Sequence, residues 1–162
     1  METSDEPQGL NAEERRAWLT LASVTMRLLP ALDAQLRRDA GISHFEYQVM
    51  AMLSMEPGRT LRMSRLADLA SGSLTRLSRV VDRLDARGWV CRRPDPTDGR
   101  STLAVLTDAG WEKVIATAPG HVAEVRRLVF DRLTRSQVPQ LHDIGTRVLT
   151  AIGSEGLGPR RS

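Results

Sequence analysis

Apolar residues recur every three or four positions along most of the chain, and this spacing predicts a mainly helical protein. The first stripe predicts a long helix that Asn11 caps and Gly41 ends, with a kink at Pro30. A second helix is expected after Ser43, which is a good capping residue. Thr60-Leu61 is expected to form a short strand before the next helix.

The stretch from Ser73 to Gly110 has a different organisation. Its first part, Ser73–Arg87, predicts a helix with one apolar face that includes Leu74 and an opposite face rich in hydrogen-bond donors. Gly88 ends this helix, and residues 89–93 have the composition of a short strand. Residues 94–100 contain two prolines, so we expect a hairpin tip there and a returning strand at 101–106. This order predicts a helix-turn-helix followed by a β-wing.

Apolar spacing returns after the hairpin and predicts two more helices. The first is expected to be kinked at Pro119-Gly120, and the second to start at the capping-box pattern Thr134–Gln137. The first and last helices of the chain carry apolar stripes but lie outside the small winged-helix core. We expect these stripes to be buried against a second copy of the chain, and an intramolecular helical bundle is the alternative.

The length of 162 residues with 41% hydrophobic residues is enough for one domain with a core. We expect a mainly α fold with a small β-wing, that is, a winged helix-turn-helix with N- and C-terminal dimerisation helices. The predicted regions are disordered tails at 1–10 and 153–162, a single domain at 11–152, dimerisation helices at 11–40 and 108–152, and a DNA-binding lobe at 43–107.

Several classes of function are excluded by what the sequence lacks. No run approaches the ~20 apolar residues of a membrane span, and the first residues are acidic where a signal peptide is basic, so we expect a cytoplasmic protein with no membrane contact. No motif points to an enzyme, a cofactor or a metal site, and His44, His121 and His142 fall on separate helices. The lone Cys91 is expected to be a buried, unreactive strand residue, with an oxidisable thiol as the alternative.

The distribution of charge points to nucleic acid. Ten arginines and five acidic residues lie between Arg59 and Arg100, a local charge of +5 in a chain with a formal charge of +3. The basic charge therefore belongs to the hairpin and its helix, which is the pattern of a nucleic-acid surface. A sequence-indifferent architectural DNA-binding protein is the alternative to a sequence-specific one.

Four short motifs occur in order: Ser78–Leu84, Arg87–Val90, Asp98–Arg100 and Leu106–Gly110. Together they resemble the MarR (multiple-antibiotic-resistance regulator) family, and the resemblance extends from about Asn11 to Ile152. It implies a homodimeric transcriptional regulator, with repression as its expected action, that binds double-stranded DNA at a pseudo-palindromic operator. It also implies release by a small aromatic or phenolic effector.

The chain departs from the family pattern at three positions. Gly99 replaces the middle arginine of the wing, Gly72 replaces an apolar residue, and Arg62 stands where a Thr or Ser cap is common. The first departure puts one backbone contact with DNA in doubt, and the other two concern local packing and capping.

The resemblance and the charge pattern together identify candidate DNA contacts on the helix and the wing. Arg79, beside Ser78, matches a base-reading position, Arg100 matches the wing arginine that enters the minor groove, and Asp98 is placed to brace it. Arg92 and Arg93 are expected to contact phosphates. The full set of candidates is Ser73, Thr75, Arg76, Ser78, Arg79, Arg83, Arg92, Arg93, Asp98 and Arg100.

The alternative for these residues is a solvated surface. In that interpretation Arg79 and Arg83 pair with Asp82 or Asp85, and the wing is held by a hairpin salt bridge that never meets DNA.

A second group supplies the candidates for lining an effector cavity between the dimerisation helices and the DNA-binding lobe. This group is Trp18, His44, Tyr47, Met50 and Met63. Packing in the core is the alternative for each residue, and residue by residue it is the preferred one.

Overall fold

The computed structural model describes residues 9–153 of the chain. In chain order its elements are α1 (Ala12–Ala40), α2 (His44–Met55), a 3-10 turn (Pro57–Arg59), β1 (Thr60–Arg62), α3 (Met63–Leu69), α4 (Leu74–Ala86), β2 (Val90–Asp95), β3 (Asp98–Leu106), α5 (Asp108–Leu128), a second 3-10 turn (Phe130–Arg132) and α6 (Gln137–Ile152). The fold is mainly helical with a small sheet, which confirms the predicted class. The predicted tails, 1–10 and 153–162, lie outside the described residues except for positions 9, 10 and 153.

The first two helices begin and end where local chemistry dictates. The Asn11 carboxamide accepts hydrogen bonds from the N–H groups of Glu13 and Glu14, both at 2.9 Å, and so satisfies the open end of α1. Gly41 ends that helix with a φ of +66°, which an L side chain rarely adopts. Ser43 caps α2 as expected, and α1 is continuous through Pro30.

The core lies in the lobe formed by α2, α3, α4 and the sheet, where the predicted apolar face of α4 packs. The largest side chains that are fully buried are Leu36, Ile42, Met50, Leu53, Leu66, Leu77 and Leu84. Helices α1 and α5 pack against each other and against α2, so they close the lobe on its far side.

The sheet has the order β1-β3-β2 and is antiparallel throughout. The expectation that residues 94–100 form the hairpin tip is wrong, because β2 continues through Pro94 to Asp95 and β3 starts at Asp98, which leaves only Pro96 and Thr97 as the turn. Proline is tolerated there since β2 is an edge strand, and the register shifts between Pro94 and Asp95. The wing is therefore a longer ribbon than the sequence predicts.

The C-terminal helices follow the predicted outline with one difference. Helix α5 runs through Pro119 and Gly120 without a break, as expected of a helix rather than a loop. At the start of α6, the Gln137 side chain accepts a hydrogen bond from the Thr134 N–H at 2.8 Å. The Thr134 hydroxyl pairs with the Ser136 hydroxyl and not with the N–H of Gln137, so only half of the predicted capping box forms.

Large apolar surfaces remain open on α1 and α6. No residue of α6 is buried in the single chain, and Ile144 and Ile152 are 61% and 71% exposed. On α1, Trp18 and Met26 are 56% and 75% exposed. The apolar stripe of α6 and the N-terminal part of the α1 stripe are thus not covered within residues 9–153, whereas Leu32 and Leu36 near the end of α1 are buried. None of the helices in this range is long and apolar enough to cross a bilayer.

Candidate nucleic-acid interface

Helix α4 presents the donor-rich face that the sequence predicts. Ser73 caps it by accepting a hydrogen bond from the Arg76 N–H at 3.2 Å. Thr75 and Arg79 are exposed, and the Arg79 guanidinium has no hydrogen bond or ion pair with any described residue. Leu74, predicted on the packed face, is instead 54% exposed at the helix start.

Arg83 is held within the lobe by a carboxylate that the sequence analysis did not single out. Its Nε donates a 3.1 Å hydrogen bond to Glu46 on α2, and Glu46 also accepts from the Ser43 N–H at 2.8 Å. Burial raises the pKa of Glu46, but these hydrogen bonds outweigh burial and hold its pKa below the ordinary value. Glu46 therefore stays ionised near neutral pH and joins α2 to α4.

Arg92 is also engaged inside the protein. Its Nη2 donates to the carbonyl and hydroxyl oxygens of Ser78 at 3.0 and 2.9 Å and to the Asp82 carboxylate at 2.6 Å. Asp82 therefore pairs with Arg92 of the wing and not with Arg79 or Arg83, the two partners that the sequence suggested. Arg92 joins the base of the wing to the recognition helix.

Arg76 lies over an aromatic ring. Its guanidinium carbon is 4.2 Å from the centroid of the Phe45 ring. A Cβ at position 72 would lie 3.0 Å from the same ring, so Gly72 leaves the space that Phe45 occupies. The departure from the family pattern at Gly72 thus has a local packing reason.

Two arginines of the wing are free. Arg93 and Arg100 are exposed, and neither guanidinium has a hydrogen bond or ion pair within residues 9–153. Asp98 accepts from the Ser101 hydroxyl at 2.7 Å and from the Arg100 N–H at 3.1 Å, and these two bonds lower its pKa. Asp98 therefore braces the backbone of Arg100 and not its guanidinium.

Arg62, Asp95 and Thr97 form a contact at the tip of the wing that sequence reasoning missed. The Arg62 Nε donates to the Asp95 carboxylate at 2.7 Å, and its Nη2 donates to the Thr97 hydroxyl at 3.3 Å. Arg62 makes no capping hydrogen bond to α3. The only available signal was that arginine replaces the usual cap at this position.

A groove with a volume of about 1150 Å³ lies between α1, α2 and α4. It brings together two of the five predicted effector residues, His44 and Tyr47, and adds His121 from α5. The Tyr47 and His121 ring centroids are 4.7 Å apart, and those of His44 and His121 are 5.9 Å apart. Met50 and Met63 belong to the core instead, and Trp18 lies elsewhere on α1.

The two histidines of this groove are shifted toward their neutral forms. Burial lowers the pKa of His44, partly offset by Asp33. Burial also lowers the pKa of His121, and the charge of His44 adds to this effect. The His121 Nδ1 is buried and has no hydrogen-bond partner in the described part of the chain.

The remaining candidates are Cys91 and metal-ligating side chains. Cys91 on β2 is half-buried, and residues 9–153 contain no group of three His, Cys, Asp or Glu side chains arranged to hold a metal ion.

Comparisons with known proteins agree with this geometry. Residues 40–101 match the model of the MarR family. The chain is 32% identical over 136 residues to the uncharacterized HTH-type transcriptional regulator YkoM of Bacillus subtilis (strain 168), a match that covers 81% of this chain and 85% of YkoM. It is 25% identical over 112 residues to the transcriptional repressor MprA of Escherichia coli (strain K12), covering 69% of this chain and 63% of MprA.

A solved structure is similar over nearly the whole chain. Sco3205, a MarR family transcriptional regulator from Streptomyces coelicolor crystallised in complex with DNA, superposes with a TM-score of 0.85 and 44% sequence identity. The superposition covers 91% of this chain and 92% of Sco3205. All three relatives are named as transcriptional regulators or repressors.

Proposed function

This chain belongs to the MarR family of DNA-binding transcriptional regulators, and from that we propose that it is a homodimeric repressor of a pseudo-palindromic operator. Repression is supported by the similarity to MprA, which is named a transcriptional repressor. DNA binding is supported by the similarity to Sco3205, which was crystallised with DNA.

The observation that carries the proposal is the division of the arginines into two classes. Arg83 and Arg92 are used in contacts within the lobe, whereas the exposed guanidinium groups of Arg79, Arg93 and Arg100 have no hydrogen bond or ion pair within residues 9–153. An unpaired guanidinium keeps all of its donors for a ligand, and guanine O6 and N7 or a phosphate accepts two of them. We assign base reading to Arg79 and minor-groove or phosphate contact to Arg93 and Arg100.

The homodimer is supported by the uncovered apolar surfaces of α1 and α6. An apolar groove of about 810 Å³ lies between α1 and the segment around α6. Its apolar lining includes Leu19, Val24, Leu28, Leu128, Leu133 and Leu141. A two-fold partner would bury the same surface on both copies, and it would place two recognition helices on successive major grooves. Sedimentation at micromolar concentration should give about twice the chain mass.

An effector site is supported by the groove that contains His44, Tyr47 and His121. Its wall includes Arg79 and Arg83 of the recognition helix, so a ligand there would contact the element that reads DNA. The rings and the surplus of arginine over acid favour a small aromatic anion or phenol. Calorimetry with 4-hydroxybenzoate, with and without operator, should show reciprocal coupling of about 1–3 kcal/mol. If related aromatic carboxylates give neither a heat of binding nor a change in operator affinity, the proposed effector site is wrong.

Selection of bound fragments from random duplex DNA tests the function as a whole. A homodimeric reader should enrich a sequence with two related half-sites about one helical turn apart. An architectural DNA-binding protein has the same basic surface but enriches no such sequence, and that result would replace the proposal with the alternative.

A further inference from the structure

The outer part of the wing has little support from the sheet. Strand β1 pairs with β3 only where Thr60–Arg62 lie opposite Leu103–Val105. Beyond that point β2 and β3 form a two-stranded ribbon, with Pro94 opposite Thr102 and a shifted register after it. A two-stranded ribbon is only marginally stable by itself, so its position depends on other contacts.

One such contact reaches the tip itself. Arg62 is the last residue of β1, at the point where α3 begins, and it donates to Asp95 at 2.7 Å and to the Thr97 hydroxyl at 3.3 Å. Thr97 in turn donates from its N–H and its hydroxyl to the other oxygen of Asp95, at 2.9 and 2.7 Å. The two residues beside and within the turn are thus tied to the base of the helix-turn-helix.

The burial of Asp95 shows why the contact is specific. Asp95 is only 6% exposed, whereas the Arg62 side chain is 48% exposed. A buried carboxylate needs hydrogen-bond donors, and here they come from Thr97 and Arg62. Hydrogen bonds from Thr97, followed by Arg62, hold the pKa of Asp95 below its ordinary value. The carboxylate is therefore charged at neutral pH, and both of its oxygens accept hydrogen bonds from within the protein.

We propose that Arg62 is a positioning residue for DNA binding, which acts through Asp95 to fix the wing tip and so to place Arg93 and Arg100 on the DNA. This inference rests on the proposed contact of the wing with DNA. Arg92 holds the base of the wing against α4, and Arg62 holds its tip. Arg62 stands where a capping residue is common in the family, and here it bonds the wing tip instead of capping α3.

The variant Asp95→Asn separates positioning from charge. Removing a carboxylate makes the lobe more positive, so a purely electrostatic account expects tighter binding to DNA. The positioning role expects the opposite, because the tip loses its ion pair and the wing arginines lose their fixed placement. Operator affinity should fall by roughly 3- to 10-fold, and Arg62→Ala should give a similar loss.

A double-mutant cycle with Arg100→Ala identifies the route of the effect. If Arg62 acts through the wing, Arg62→Ala should reduce operator affinity less in the Arg100→Ala background than in the wild-type background. Arg59→Ala is the matched control, because it removes an arginine that pairs with Asp108, away from the wing tip. Thermal unfolding of each full-length variant shows whether it is folded at the binding temperature.

The outcomes distinguish this inference from the proposed function. Operator binding by Asp95→Asn that is unchanged or tighter would overturn the positioning role of Arg62, and so would strictly additive losses in the cycle. If Arg100→Ala still weakens binding in that case, the proposed contact of the wing with DNA stands. Wild-type affinity in Arg100→Ala would instead remove the wing contact on which the inference rests.

Discussion

The Nη2 atom of Arg92 on the wing strand donates a 2.6 Å hydrogen bond to the Asp82 carboxylate on the recognition helix. The sequence predicts that Arg92 contacts a phosphate of DNA, but in the structure its guanidinium donates to groups of the protein itself. The neighbouring Arg93 is exposed and has no such contact within residues 9–153. Two adjacent arginines of the same strand should therefore have different effects on DNA binding.

Arg93→Ala should weaken binding to many sequences and reduce the salt slope by about 0.9 if one phosphate contact is lost. Arg92→Ala should also weaken operator binding, because it disturbs the angle between the wing and α4. Its change of the salt slope should be smaller than that of Arg93→Ala, because no phosphate contact is lost. Its effect on stability should be about 1–2 kcal/mol, because it removes two part-buried hydrogen bonds to Ser78 together with the partly exposed Arg92–Asp82 pair. Binding isotherms at several salt concentrations compare the two. Equal changes of slope would show that Arg92 also binds phosphate.

Gly110 is required by a close approach between the end of the wing and α5. A Cβ at this position would lie 2.0 Å from the Trp89 carbonyl oxygen and 2.6 Å from Leu106 Cδ1. The same carbonyl accepts the Thr107 N–H at 3.0 Å, so moving it disturbs the junction. Gly110→Ala should lower the free energy of unfolding by about 1–3 kcal/mol.

Gly99→Ala is the matched control for this substitution, because nothing lies within 4 Å of a Cβ there and its φ is not positive. Its effect should stay within about 0.5 kcal/mol. Denaturant unfolding compares both variants with the wild type. A Gly110→Ala protein as stable as the wild type would show that the junction relaxes freely.

Acid should destabilise the protein through His44 and His121. Both have a pKa below the ordinary value, so near that value the unfolded chain binds more protons than the folded protein. The free energy of unfolding is therefore highest above about pH 6.5, and it falls as the pH is lowered through that value. His121→Gln should reduce the loss of unfolding free energy between pH 7.5 and 5.5. His142→Gln is the matched control for the substitution itself. Equal slopes for wild type and His121→Gln would contradict this account.

The helices could be predicted because their determinants are local. The Asn11 and Ser43 caps and the glycines that end α1 and α4 act within a few residues, and the apolar face of α4 from Leu77 onward follows from spacing. Pro94 was misjudged because its tolerance depends on β2 being at the edge of the sheet, which is a property of the tertiary fold.

The candidate site was predicted at the level of residue type but not of pairing. Arg79 and Arg100 are exposed on the expected elements, whereas the ion pairs of Arg83 with Glu46 and of Arg62 with Asp95 join residues 37 and 33 positions apart. No periodic pattern relates such distant residues, so the sequence could not separate engaged arginines from free ones. In the groove, His121 was missed for the same reason.

Binding isotherms of Arg79→Ala on the selected operator and on a scrambled duplex test whether α4 reads base sequence through Arg79. We expect a loss of about 1–3 kcal/mol in binding free energy on the operator, a much smaller loss on the scrambled duplex, and an unchanged fold and oligomeric state. Equal losses on the two duplexes would show that Arg79 contacts the backbone of DNA and does not read bases.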